Sequence, residues 1–390
     1  MSAMALAVLL SVGSPAPAAA AAEPSAPIVV TGIRLGDARQ QLEQCLARKC
    51  PPLEDIKATL QYAEALFTAG NYDEASAVLQ RSVGRNHGHA DRYPVGVAGL
   101  YRALGRVSMH QGEGDRARSA AYGVVRSLQA GLPAEDARIL GGKLEAADTQ
   151  ASLGDGDGAD RLYREVADKA RRIGRPDLAA TAEVRRGLLL HRLGYSDGRA
   201  LLEKVAALAD PRTRTQQLAA RVVLARIDRD AGKADSTQRL LAELRAFGLR
   251  KPALVYAPPI DVPRAGTMAF APAGGDGMPK RGVASMTPTE GFDYWADVGF
   301  WITPEGRVQE AEILRAKGPR EWLQPVLSSI AGRIYAPAAG AAEATYRVER
   351  FSYTSLMETQ TGTRIATHSA QGRIESLDIT AEAPPPPRQD

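Results

Sequence analysis

Five glycines recur in register between residues 56 and 248, and this repeat limits the fold more than any other feature of the 390-residue sequence. Aligned on Ala75, Ala117, Ala159, Arg199 and Thr237, successive units are 42, 42, 40 and 38 residues long. Five places before each anchor stands a glycine: Gly70, Gly112, Gly154, Gly194 and Gly232. Twelve places before it stands a small residue: Ala63, Gly105, Ala147, Gly187 or Ala225. A proline follows each unit at Pro94, Pro133, Pro176, Pro211 or Pro252. Small residues let two helices approach closely, and a glycine behind a helix supplies the left-handed cap of a tight turn. The pattern predicts stacked helical hairpins. The composition agrees: Ala, Leu and Arg are abundant, and aromatic residues are only 5%, which favours helices packed through small side chains.

The run Gly70-Asn71-Tyr72-Asp73-Glu74-Ala75 resembles the turn and second-helix start of the tetratricopeptide repeat. The small residues from Ala63 to Ala225 match that family's small first-helix position, and Ala75, Ala117 and Ala159 its second-helix alanine. Arg199 and Thr237 depart from the alanine, and the units exceed the usual repeat length. The resemblance implies an α-solenoid of about five hairpins that binds peptides or proteins on an inner surface lined by first helices. On that register Arg102, Arg106 and His110 share one helical face, and His191, Arg192, Arg226 and Arg229 take equivalent inner positions. Two readings stay open: a groove for an acidic peptide, or a solvated mixed-charge face, since Glu64, Asp148 and Asp230 are inner too.

The composition changes after Lys251, where Ala257-Pro258-Pro259, Pro263 and Gly274-Gly275 suggest a linker over residues 251–292. Tyr294, Ala296, Val298, Phe300 and Ile302 alternate as one face of a strand. Pro304-Glu305-Gly306 turns the chain into a second strand from Val308 to Leu314, and Leu323, Val326, Leu327, Ile330 and Ile334 fall at helical spacing. Strand character resumes from Thr345 to Met357, and Gly362 and Gly372 separate two further candidate strands that end at Ile379.

Asp297 to Val308, Ile313-Leu314 and Arg333-Ile334-Tyr335-Ala336-Pro337, in strand, strand, helix, strand order, resemble the C-terminal domain of TonB-type energy transducers. The match spans about Tyr294 to Tyr353, without the membrane helix and long Pro-rich spacer of a transducer. The resemblance implies an exposed last strand that accepts a short receptor segment by strand addition. That strand would be Ala344 to Tyr353, with Thr345, Tyr346, Arg347, Val348, Phe351 and Tyr353 at the edge. Ile28, Val29, Val30 and Thr31 resemble the receptor segment itself, the TonB box. They suggest either docking on such an edge or packing against the first repeat helix.

The apolar block Ala3–Val12, the small residues through Ala22 and the acidic Glu23 read as an export signal cleaved near Ala20 to Ala22, although no Lys or Arg precedes Arg34. In an exported protein, Cys45 and Cys50 are expected to form a local disulfide behind a helix covering about Leu35 to Arg48, which Pro51-Pro52 stops. The expected fold class is thus α + β multidomain: signal 1–22, flexible segment 23–34, TPR-like α-solenoid 35–250, linker 251–292, TonB C-terminal-like α+β domain 293–380 and Pro-rich tail 381–390. The formal net charge of +4 has no clustered patch and argues against nucleic acid as a partner. No apolar run is long enough for a stable membrane span.

Catalytic motifs of the H-E-x-x-H, G-x-S-x-G and Walker types are absent. His87-Gly88-His89 lacks companion ligands for a metal, and Asp155-Gly156-Asp157-Gly158 lacks the closing glutamate of a calcium loop. The expected function is a non-enzymatic periplasmic adaptor that binds proteins or peptides, has no cofactor or metal, and has a TonB-dependent receptor or transducer as its implied partner. The alternative is an envelope structural or assembly factor that uses the β domain for strand pairing.

Overall fold

The structure is a computed structural model that describes residues 34–233, 235–262, 294–359 and 366–380. The export signal, the Ile28–Thr31 run, most of the linker and the Pro-rich tail lie outside the described residues. The helical part runs α1 (Leu35–Ala47), α2 (Pro52–Thr68), α3 (Tyr72–Asn86), α4 (Pro94–His110), α5 (Gly114–Gly131) and α6 (Ala137–Ser152). It continues through α7 (Gly156–Arg172), α8 (Pro176–Arg192), α9 (Asp197–Ala206), α10 (Arg214–Asp230) and α11 (Asp235–Phe247). Each helix packs on the next, and α2 also touches α4, α6 touches α8, and α8 touches α10. This is a stack of five hairpins, α2/α3 to α10/α11, behind a leading helix.

All five register glycines are left-handed, with φ between +76° and +87°. At each one the residue after the glycine donates its N–H to the carbonyl five residues earlier: Asn71 to Leu66, Glu113 to Ser108, Asp155 to Gln150, Tyr195 to Leu190 and Lys233 to Asp228. The bond satisfies a carbonyl that the helix end leaves orphaned. Ala75, Ala117 and Ala159 are buried, as is Thr237. Arg199 is tolerated because its side chain reaches out to Asp228 and Glu203, at 2.9 and 2.8 Å. Pro94 and Pro176 open α4 and α8, where a missing N–H costs nothing. Cys45 and Cys50 are joined as a disulfide with Cα atoms 5.1 Å apart, and Lys49 at φ +52° turns the chain back between them.

The C-terminal part contains β1 (Ala253–Tyr256), β2 (Tyr294–Ile302), β3 (Val308–Lys317), α12 (Leu323–Ala331), β4 (Ile334–Ala336), β5 (Thr345–Thr359) and β6 (Ala366–Asp378). A four-stranded antiparallel sheet has the order β3-β2-β5-β6, and β1 pairs with β4 in a two-stranded one. Pleat alternation sends Ala296, Val298, Phe300 and Ile302, with Phe351 and Tyr353, into a core closed by Trp322, Leu323, Val326 and Ile330 of α12.

Three expectations need correction. Residues 253–256 of the expected linker form β1, because β4 offers them a pairing edge. Ile334 leaves the helix and enters β4, since α12 ends ahead of Gly332. Gly372 lies within one continuous strand, opposite Ser355 at an irregularity that absorbs the extra residues.

Candidate functional site

The face of the sheet opposite α12 docks on the turns of the helical repeat. Its centre is Arg350 of β5, whose side chain has no solvent exposure. The guanidinium donates to the Asp297 carboxylate from Nε and, at 3.0 Å, from Nη2. It also donates to the carbonyls of Phe67 and Thr68, both at 2.8 Å, and to Tyr72 Oη at 3.3 Å. Those carbonyls close α2, where the helix dipole is negative, so a cation there offsets charge as well as bonding the helix-end acceptors, of which Phe67 O also accepts from the Gly70 N–H at 2.9 Å. Arg315 of β3 adds bonds to Asp297 at 2.9 Å and to Thr68 O at 3.2 Å. The Trp295 ring lies 4.0 Å from the Arg350 guanidinium.

Beside this fork, Ser352 Oγ is 3.0 Å from Tyr72 Oη and 2.8 Å from His110 Nδ1. His110 is buried with its ring edge-on to Phe67, 4.9 Å between centroids. Burial, reinforced by the charges of Arg106 and Arg350, pushes its pKa down to about 3, so the imidazole is neutral. Farther along, Met357 N–H donates to Gly112 O at 2.9 Å, and Arg373 of β6 donates to Ser152 O at 2.6 Å. A side chain at Gly70 would strike the Trp295 indole, and one at Gly112 the Ser355 carbonyl. At Gly154, Gly194 and Gly232 an added side-chain carbon meets nothing within 4 Å.

The seven expected inner residues do not form one groove. Arg102 pairs with Glu145 at 2.7 Å and Arg106 with Glu64 at 3.2 Å, each tying a first helix to a neighbouring one. His110 belongs to the buried interface. Arg226 donates to the Val255 and Leu254 carbonyls of β1 at 2.6 and 2.7 Å, and burial lowers its pKa to about 10. Arg229 stacks 4.5 Å from the Tyr256 ring centre. Only His191 and Arg192 of the seven are exposed.

The expected strand-addition edge is also corrected. β5 is an interior strand because β6 returns antiparallel along it, pairing Phe351 with Ser376 and Tyr353 with Ile374. Val348 exchanges bonds with Thr380 and Ile379, and Arg347 pairs with Asp378 at 2.8 Å. Phe351 and Tyr353 point into the core. Thr345 and Tyr346 pair with Ile302 and Trp301 of β2. Among the described residues, Cys45, Cys50 and Glu54 form the only His/Cys/Asp/Glu group at ligand spacing, and its two thiols are consumed in the disulfide. Asp155 caps α7, accepting from Gly158 N–H at 2.9 Å.

One exposed feature escaped the sequence reading. Leu193 and Tyr195 flank Gly194 in the fourth turn and are 46% and 59% exposed, next to His191 and Arg192. The signal was present: the equivalent pairs are Ala69/Asn71, Gln111/Glu113, Leu153/Asp155 and Ala231/Lys233, so only the fourth turn is apolar on both sides. Trp295 and Asp297 were equally visible as the second face of β2.

No protein-family model and no curated protein matches the chain. Among solved structures it is similar to BtubC (BKLC) from P. vanneervenii, at 15% identity and TM-score 0.42, over 54% of this chain and 87% of that one. It is also similar to a putative kinesin light chain with nearly identical TPR-like repeats from Podosopora anserina, at 20% identity and TM-score 0.38, over 50% and 95% of the two chains. A single-substitution form of that protein gives 20% identity and TM-score 0.39, over 50% and 94%.

Proposed function

We propose that the protein is a non-enzymatic adaptor that binds proteins or peptides in the periplasm, with the fourth hairpin turn as a contact. One observation carries this reading: five turns of the same geometry are unequally used. The first two dock the chain's own sheet, whereas the fourth presents His191, Arg192, Leu193 and Tyr195 outward. A turn that binds when it meets apolar and charged side chains within the molecule is a fitting surface for the same chemistry on a partner.

The test is affinity purification from cell-envelope fractions with Leu193→Asp combined with Tyr195→Ser. Loss of partners held by the unaltered protein is expected, and retention of every partner would refute the turn as the contact. Fractionation together with N-terminal sequencing tests export, the expected outcome being a periplasmic protein that starts after Ala20 to Ala22.

The order β2, β3, α12, β5 supports a TonB-dependent receptor or transducer as the partner class, in line with the resemblance of Asp297–Val308. The cover of β5 by β6 argues against docking on that strand. Envelope assembly by strand pairing would have to use the outer edges of β3 or β6. On β3 that edge carries Glu310, Glu312, Arg315 and Lys317, charges of the kind that discourage edge pairing.

A further inference from the structure

The sheet is a ligand of the row of turns, and the way it is held shows what chemistry that row accepts. Leu356 of β5 enters a notch between the second and third turns. A side-chain carbon added at Gly114, the first residue of α5, would stand 3.0 Å from Leu153 Cδ2 and 3.4 Å from Leu356 Cδ2. The two leucines thus share the bare glycine as a floor, and both are half-buried. The backbone beside the leucine is tied down: Met357 N–H donates to Gly112 O at 2.9 Å, and the same oxygen accepts from Gly114 N–H at 3.0 Å. Arg373 of β6 adds its bond to Ser152 O of the third turn.

One unit along, the notch recurs. Gly156 opens α7 as Gly114 opens α5, and Leu193 precedes the fourth left-handed glycine as Leu153 precedes the third. A carbon added at Gly156 would stand 3.0 Å from Leu193 Cδ1, and its three nearest atoms all belong to Leu193. Among the described residues no counterpart of Leu356 lies on this pair, and Leu193 is 46% exposed. Gly154 O accepts from Gly156 N–H at 3.0 Å, as Gly112 O does from Gly114, but no counterpart of Met357 N–H joins it among the described residues. The other units lack the glycine–leucine pair, having Tyr72 with Gln111 and Ser196 with Ala231. The two notches differ in charge. His191 and Arg192 stand where the third turn has Ala151 and Ser152, so a second Arg373 would meet a cation here, whereas a carboxylate would be attracted.

We propose that the Gly156–Leu193 notch takes an extended segment of a partner protein. A leucine-sized side chain of that segment lies on Gly156 and Leu193, the next N–H donates to Gly154 O, and a carboxylate stands near Arg192. The interface that holds β5 then continues by one unit along the row of turns. This inference rests on the reading of the fourth turn as a contact and names what the contact holds.

The probe is the chain's own segment 352–358, Ser-Tyr-Thr-Ser-Leu-Met-Glu, made as a peptide with a photoreactive diazirine leucine at the Leu356 position and offered to the full chain. Cross-links are expected at 154–156 and 193–195. Binding should weaken at least about tenfold with Leu193→Asp in the protein or Leu356→Asp in the peptide, as one leucine contact is lost. Glu358→Gln in the peptide should weaken it less, and an unchanged affinity would overturn the place given to the carboxylate. Cross-links confined to 112–114 and 153 overturn the proposal, because the peptide then only displaces the chain's own strand. Cross-linking no stronger than that of the aspartate peptide overturns it too, as does binding that falls with rising protein concentration, since a second copy then fills the notch. Envelope partners lost with Leu193→Asp/Tyr195→Ser, beside a peptide that does not bind, would refute this occupant and keep the fourth turn as a contact. Partners retained beside a peptide that binds would refute the contact in the cell and keep the notch.

Discussion

The turns after α2 and α4 and those after α6, α8 and α10 share one backbone geometry and meet different surroundings. Gly70 and Gly112 lie against Trp295 and Ser355 with no room for a side chain, whereas the added carbon at Gly154, Gly194 and Gly232 stays free. In the first pair glycine answers two demands, a positive φ and close approach; in the later three only the first. The lesson is that a repeat distributes equivalent surfaces, and attached elements decide which become interior.

The largest break in this comparison comes at Arg350. Replacing it with Met takes a donor from Asp297 and from two helix-end carbonyls, leaving Asp297 and Thr68 O to Arg315 and Phe67 O to the Gly70 N–H, and urea unfolding should show a loss of about 3–4 kcal/mol. Asp297→Asn in the same chain should be less than additive with it, because both act in one network. Next, Gly112→Ala should cost about 2–4 kcal/mol, from left-handed strain plus the clash, against about 1–2 for Gly194→Ala. Equal losses would mean that the docking of the sheet places no demand on the turn.

Acidification sharpens the contrast further. His110 is held neutral with a pKa of about 3 in the fold, while its unfolded counterpart takes up a proton below about 6.5. The unfolded state thus binds more protons between those values, and stability present above pH 6.5 declines as the pH falls toward 3. The loss should approach about 1.4 kcal/mol per pH unit, near 2 kcal/mol at pH 5. Urea titrations across that range should show a flatter profile for His110→Gln. The smallest stability effect belongs to the open side: Leu193→Asp with Tyr195→Ser should stay within about 0.5 kcal/mol, with its consequence appearing in partner capture alone.

The hairpin stack was legible because helix ends are local: a left-handed glycine and its register sit within one turn. Sheet neighbours are not local. Nothing in the alternation of Thr345 to Tyr353 reveals that Ala366 to Asp378 will cover it, so the strand read as an edge became interior. The same limit hid the docking face. Arg350 and Phe67 are 283 positions apart, and a helical wheel places His110 without revealing that Ser352 will reach it. The inner arginines left two readings open for a related reason: the pairing of Arg106 with Glu64 and of Arg102 with Glu145 depends on how neighbouring first helices align. Among the described residues no helix is long and apolar enough to cross a membrane, in keeping with the hydropathy of the sequence.

The Arg350 fork has a consequence in time as well as in energy. A ribosome delivers Thr68 long before Arg350, so the opening hairpin is made early and finished late, its blunt end waiting for a strand nearly three hundred residues downstream. Contacts of such long range are slow to form and leave apolar ends uncovered meanwhile. A chain cut short before its last strands would carry that unfinished end permanently, a mark by which quality control could tell the fragment from the whole.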